Sequence, residues 1–346
     1  MKIGLVGFAG SGKTTVFNAM TGLDAPVGFG GEVRVGTVKV PDQRIRDLSV
    51  HYNPKKTTYA EMVFCDIPGE HGAEKKGLSG RAIQQIRDQE ALCLVLRDFE
   101  NPALDRDPDP VADLDAFHME CVLADLEVVH RRLERARKEQ APLQEIAAFD
   151  LMRETLEDGN PIRSLPREAL KRETLKGYGF LTDKPLLVAV NTSEQDAAAS
   201  MPHVLAREVE AHGAAGLALS AAIESEIAGL EPQEQAEFLR ELGLEESALD
   251  RFIRTAYSLL DLISFFTVGS DEVRAWTIRR GTNARRAAGK IHSDLERGFI
   301  RAEVIPYQIF LEYGSEQAVK ERGLLQVQGK DYVVSDADLI SVRFNV

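Results

Sequence analysis

The chain has 346 residues, 44% apolar and 28% charged, with a net charge of −13. That is enough material for two or three domains with a sizeable core, and the acidic balance argues against nucleic-acid binding through the whole surface. No apolar run reaches the roughly 18 residues of a membrane helix, Met1-Lys2-Ile3 runs straight into a strand pattern so that no signal peptide is expected, and Cys65, Cys93 and Cys121 stand apart in apolar surroundings as free thiols of a reducing cytoplasm.

The first strand pattern, Ile3 to Val6, stops at Gly7, and a helix pattern opens at Val16. Between them lies the spacing G-x-x-x-x-G-K-T, from Gly7 to Thr14. Gly7, Gly10 and Gly12 let backbone N–H groups turn inward around phosphate oxygens with no Cβ in the way, and the helix N-terminus adds orphan donors. Ser11 and Thr15 complete the expected phosphate contacts. Lys13 is expected to reach the β- and γ-phosphates and the Thr14 hydroxyl to ligate Mg²⁺.

Asp24 to Gly31 is rich in Gly and Pro and reads as a loop beside this site. A strand follows through Val33, Val35, Thr37, Val38 and Val40, and a second runs from Thr57 to Asp66, ending in the D-x-x-G of Asp66 to Gly69. Ala91 to Leu96 is a continuous apolar run, the pattern of a strand buried on both faces. Met119, Leu123, Leu126, His130 and Leu133 then repeat at 4-3-4-3 spacing, which predicts a helix pair or short coiled coil with His130 on its seam as a core residue. Leu143 to Leu156 is the second helix, ended by Gly159-Asn160-Pro161.

Leu186 to Val190 and Leu217 to Ser220 are further strands, and Glu231 to Leu262 is helical with a break at Gly243. From Phe265 onward the pattern turns to short strands at Val273–Ile278, Phe299–Val304, Tyr332–Val334 and Leu339–Phe344, with a helix at about 284–297. The expected organisation is a nucleotide-binding domain in two parts, 1–110 and 180–263, a helical insertion at 111–179, and a β-rich domain at 264–346.

The chemistry lies in an ordered set: phosphate loop, D-x-x-G, an N-x-x-E from Asn191 to Glu194 after a strand, and Ser220-Ala221 after the next. That is the motif order of GTPase-like P-loop NTPases. Asp66 is placed to hold Mg²⁺ and the Gly69 N–H to face a γ-phosphate. Guanine offers two donors, N1–H and the 2-amino group, to a correctly placed Asp carboxylate; adenine does not. Glu194 moves that carboxylate outward by a methylene, which weakens a GTP reading without proving ATP. One window departs from the acidic whole: Arg274, Arg279, Arg280, Arg285, Arg286, Lys290, Arg297 and Arg301 against only Asp294 and Glu296. It is either a solvated basic face or a surface for RNA or the ribosome.

These motifs, with Glu272-Val-Arg-Ala-Trp-Thr-Ile278, Ala288 to Ala302, Gly329-Lys-Asp-Tyr332 and Phe344-Asn-Val346, resemble the YchF family, the Obg-like ATPases, over essentially the whole length. The resemblance implies a doubly wound, mostly parallel α/β P-loop NTPase fold with a coiled-coil insertion and a β-grasp-like TGS domain at the C-terminus. It also implies a translation-factor-class NTPase that prefers ATP through N-x-x-E, is associated with the ribosome or RNA, and uses neither DNA nor a membrane. Four departures qualify it, one being Glu74-Lys-Lys76 in place of part of the family's glycine-rich switch II. Gly10 stands where the family carries an Asn associated with bound K⁺, so the resemblance does not carry potassium stimulation over to this chain. The switch threonine that would complete the Mg²⁺ shell falls near Gly30 or Gly31, which have no hydroxyl, and this predicts slow hydrolysis. Glu70 and His71 follow D-x-x-G where the family has an apolar residue; they either orient the attacking water or are exposed loop residues. The expected activity is slow, regulatory hydrolysis of ATP to ADP and phosphate. Its rivals are a GTPase of the same fold and a nucleotide-sensing interaction module whose partner surface is the helical arm.

Overall fold

The computed structural model describes residues 2–26, 32–68, 79–166, 168–170 and 176–345. The chain forms two compact units, Met1–Val38 with Val63–Phe252, and Lys39–Met62 with Ile253–Val346.

The elements of the first unit are β1 (Lys2–Val6), α1 (Lys13–Thr21), β2 (Arg34–Lys39) and, after α2 (Gln43–Tyr52) and β3 (Lys56–Thr58) of the second unit, β4 (Glu61–Asp66). They continue with α3 (Gly80–Arg87), β5 (Ala91–Asp98), α4 (Pro110–Lys138), α5 (Leu143–Glu157), β6 (Leu186–Thr192), α6 (His203–Ala211), β7 (Ala215–Leu219), α7 (Ala221–Gly229) and α8 (Pro232–Glu241), and α9 (Ala248–Leu259) runs on from the first unit into the second. The sheet order is β2-β4-β1-β5-β6-β7. β1 runs parallel to β4 and β5, and β6 runs parallel to β5 and β7. β6 is buried along its whole length and β5 along all but its last residue, as parallel strands covered on both faces must be. The register sets Leu5 beside Asp66, Arg97 beside Asn191 and Asn191 beside Leu219. The phosphate loop, Asp66, Asn191 and Ser220 therefore leave the sheet at the same edge, the carboxyl ends of the strands, where doubly wound sheets bind ligands.

The expected strand from Thr57 to Asp66 is in fact two. Tyr59 and Ala60 interrupt it; β3 pairs in parallel with β9 (Glu272–Arg279), while β4 belongs to the first sheet. Residue pattern reports that a segment is extended, not which neighbour completes its ladder.

The helical arm also differs from its sequence reading. In α4 the buried stripe is Leu114, Phe117, Cys121, Val122, Asp125, Val129, Leu133 and Ala136. Met119 and Leu123 are about half exposed. His130 is exposed, with Nε2 3.6 Å from Glu157, so it is a surface residue and not part of the seam. The physical reason is Asp125. It is wholly buried and accepts the Leu181 N–H (3.0 Å), the Thr182 N–H (2.7 Å) and the Thr182 hydroxyl (2.8 Å). A hydrophobic count rejects an aspartate at the core position that these three donors make tolerable. Around it Val129, Leu133, Phe149, Met152 and Leu156 form the α4–α5 core.

The second unit contains β8 (Leu262–Thr267), β9, α10 (Ala284–Ile291), α11 (Ser293–Arg297), β10 (Phe299–Pro306), α12 (Tyr307–Tyr313), α13 (Glu316–Glu321), β11 (Gln326–Gln328) and β12 (Asp338–Phe344), in the sheet order β11-β10-β12-β8-β9-β3. Ile263, Phe265, Ile278, Ala302, Val304 and Ile340 fill its core. The single helix expected at 284–297 is broken by the extended backbone of His292. Instead of a strand, the stretch from Tyr332 to Val334 makes one isolated bridge, from Val333 to Asn283. The three cysteines are free and buried, and none of the described helices is long and apolar enough to cross a membrane.

Candidate functional site

The phosphate loop is built around positive φ at Gly7 (144°), Gly10 (78°) and Gly12 (86°). A Cβ at Gly7 would collide with the Val95 carbonyl and one at Gly12 with the Asn191 amide, so these two positions admit no side chain for reasons of space as well as backbone. α1 starts at once after Gly12, which aims the free N–H groups of its first turn into the loop.

Lys13 is 7% exposed, and its ammonium donates to the carbonyls of Gly7 (2.9 Å) and Phe8 (3.4 Å). Burial lowers its pKa to about 8, against the opposing pull of Asp66. A desolvated cation at the mouth of an N–H-lined loop is a strong attractor for a polyanion. The Thr14 hydroxyl donates to Asp66 Oδ2 at 3.0 Å. Asp66 is 4% exposed, and its Oδ1 has no partner among the described residues; the same holds for the buried hydroxyls of Ser11 and Ser220. Arg34, on β2, places Nη1 3.5 Å from Asp66 Oδ2.

Asn191 is buried and ties two loops together. Its Nδ2 donates to the Ser11 carbonyl (3.0 Å) and its Oδ1 accepts the Ala221 N–H (2.9 Å). A neighbouring cleft of about 740 Å³ is lined by Gly12, Thr15, Phe99, Pro108, Asn191 and Ala221, together with four carboxylates: Asp98, Glu100, Glu194 and Asp196. Glu194 is exposed. Burial, and then the nearby Asp196, raise the pKa of Asp98. Thus the structure gathers Gly7, Gly10, Ser11, Gly12, Lys13, Thr14 and Asp66 at one end, and Thr15, Asn191, Glu194 and Ala221 at the other, with the Ser220 hydroxyl beside them. Gly69, Glu70 and His71, and likewise Gly30 and Gly31, lie outside the described residues.

Two residues went unnoticed in the motif reading. Arg97 is 1% exposed and donates to the carbonyls of Phe99 (3.1 Å), Arg106 (2.8 Å) and Asp107 (2.9 Å), which pins the loop forming one wall of the cleft. Its signal was a charged residue ending an otherwise apolar strand. Arg34 had no comparable signal, because its partner is 32 residues away.

The basic window is less basic than its composition. Arg280 pairs with Asp261, Arg297 with Asp294 and Arg301 with Glu303. Arg274 stacks 4.0 Å over Trp276, and Arg285 donates to the Glu296 carbonyl. Elsewhere, Asp115, Glu208 and His212 approach one another on α4 and at the end of α6, with His212 Nε2 3.2 Å from Asp115 Oδ1, a hydrogen bond between the two helices.

A family model described as a 50S ribosome-binding GTPase matches residues 2–125, and one for the C-terminal domain of YchF GTPases, described as a protein of unknown function, matches residues 262–345. The chain is 38% identical to the ribosome-binding ATPase YchF of Bacillus subtilis, over 99% of each chain. It is 40% identical to that of Haemophilus influenzae, over 100% of this chain and 99% of the other. The solved structure of the Schizosaccharomyces pombe YchF GTPase superposes with a TM-score of 0.89 at 30% identity, covering 99% of this chain and 97% of that one.

Proposed function

This chain belongs to the YchF family, and from that premise we propose that it is a Mg²⁺-dependent ATPase that converts ATP slowly to ADP and phosphate as a cytoplasmic switch on the ribosome. The observation that carries the reading is the Thr14–Asp66 pair beside Lys13. With its proton given to Asp66, the Thr14 oxygen keeps its lone pairs for a cation, and Asp66 Oδ1 is left to accept from a water on that cation. These are hard oxygen donors of the kind Mg²⁺ takes, so Thr14 and Asp66 would hold it. When bound it supplies charge to the β- and γ-phosphates.

The remaining roles fall to the chain itself. The loop amides from Gly10 to Lys13 hold the phosphates and Lys13 reaches across the β and γ groups. Asn191 keeps the phosphate loop and the Ser220-Ala221 turn in register, while Glu194 sets base choice for adenine. Glu70 or His71 is the candidate to orient the attacking water. Gly10 brings no side chain to a K⁺ site, so turnover should be the same in Na⁺ and K⁺. The ribosome enters through the relatives, which are ribosome-binding ATPases by name, and Arg285, Arg286 and Lys290 on α10 are the contact surface offered to it.

Asp196 favours a second reading, a GTPase of the same fold, since it brings a shorter carboxylate to the same cleft. Affinities for non-hydrolysable ATP and GTP analogues with Mg²⁺ test the choice. Tighter ATP binding upholds the ATPase reading; tighter GTP binding replaces it; binding of neither overturns both.

A further inference from the structure

We propose that Arg34 is part of the triphosphate site, a guanidinium held in cis on Asp66 that donates to the γ-phosphate and offsets the charge gathering there during hydrolysis. The proposal rests on the NTPase reading above and names a residue that its motifs do not contain.

Arg34 is the first residue of β2, and Asp66 is the last of β4, its neighbour in the sheet. Its Nη1 lies 3.5 Å from Asp66 Oδ2, the oxygen that also takes the Thr14 hydroxyl. One carboxylate oxygen thus joins the cation, the metal-binding hydroxyl and the strand end that faces the phosphates. The Arg34 side chain is 29% exposed, so it is neither sealed into the core nor free in solvent. A guanidinium carries five N–H donors in a planar fork, and among the described residues Asp66 engages it through a single nitrogen at 3.5 Å, which leaves donors for a phosphate oxygen.

Phosphoryl transfer spreads charge over the equatorial oxygens of the transferred group, and fixed positive charge beside them is the main catalytic device open to a protein. Lys13 supplies one such charge. Gly30 and Gly31, just upstream of Arg34, offer no hydroxyl to the metal shell. The same segment brings a permanent cation instead. The rival explanation is mechanical: Arg34 merely props Asp66 in place. The two differ in what they predict. A prop changes nucleotide and metal affinity, whereas a charge acting on the transferred phosphate changes turnover.

The test is steady-state hydrolysis and fluorescent-ADP binding by the full chain, its Arg34→Ala and Arg34→Lys variants, and Lys13→Ala as the reference for zero turnover. Arg34→Ala should lower kcat by about a hundredfold, short of the roughly 10³–10⁵ of a fully inserted arginine because this one is shared with a carboxylate. KM and ADP affinity should stay within about threefold, and Arg34→Lys should recover part of the lost rate. An unchanged kcat, or a loss appearing equally in KM and ADP affinity, overturns the proposal and leaves the NTPase reading standing. Parent turnover no higher than that of Lys13→Ala overturns both.

Discussion

The proposed phosphate end and the proposed base end of the site are built by opposite means. At the phosphate end, the groups are buried and already bonded to one another: Lys13 to Gly7, Thr14 to Asp66, and the glycine backbone in conformations no side chain would permit. At the base end, the cleft is lined by carboxylates at the end of β5 and on the loops beside it, Glu194 among them exposed. Desolvated groups give binding energy; solvated ones give modest selectivity. Affinity should therefore be controlled at the first end and base choice at the second.

The largest expected effect is at the phosphate end. Lys13→Ala removes charge-assisted bonds to two phosphates, and triphosphate affinity by calorimetry should fall at least about a hundredfold. Retained affinity would break the contrast. Asn191→Ala comes next, because the residue belongs to both ends. It leaves the Ser11 carbonyl and the Ala221 N–H buried and unpaired, a cost of about 2–4 kcal/mol. The melting temperature should drop by several degrees, roughly 2–4 °C per kcal/mol, and ATP and GTP affinity should weaken together. Loss of one nucleotide alone would make Asn191 a reader of the base.

Glu194→Asp sharpens the comparison from the other side. Pulling the carboxylate back by one methylene should shift the ATP-to-GTP affinity ratio toward GTP by about tenfold, with no change in melting temperature, since the residue is exposed. The smallest effect is at Asp98. Its pKa is raised above the usual 3.8 by burial and by Asp196, so its favourable share of stability is complete below the unfolded value and is lost as pH rises through the folded one. Asp98→Asn should flatten the melting temperature against pH across that window, by about 1 °C or less given its partial exposure. An unchanged profile would remove Asp98 from the electrostatics of the cleft.

Legibility followed the distance between partners along the chain. Lys13 and Thr14 are readable because loop, cation and helix start are contiguous, and the strands at Ala91–Leu96 and Leu186–Val190 because burial on both faces leaves an unbroken apolar run there. The stripe on α4 was misread through Asp125, whose three donors come from residues 181 and 182. His130 passed for a seam residue only because the seam was drawn through Met119 and Leu123, which are about half exposed.

By itself, then, the sequence determined a P-loop NTPase, since glycine spacing, D-x-x-G and N-x-x-E are local or ordered signals that survive without coordinates, and the runs from Glu272 onward carried its resemblance to the YchF family. Only the tertiary structure decided that Thr57 to Asp66 divides between two sheets, that Arg97 holds the wall of the cleft, that much of the basic window is spent on internal ion pairs, and that Arg34 stands on Asp66. Each of these depends on which strand lies beside which and on which buried donor meets which acceptor. Those pairings are fixed by satisfying every backbone and charged group at once, and a local window shows neither which strands are neighbours nor which buried acceptor a side chain reaches.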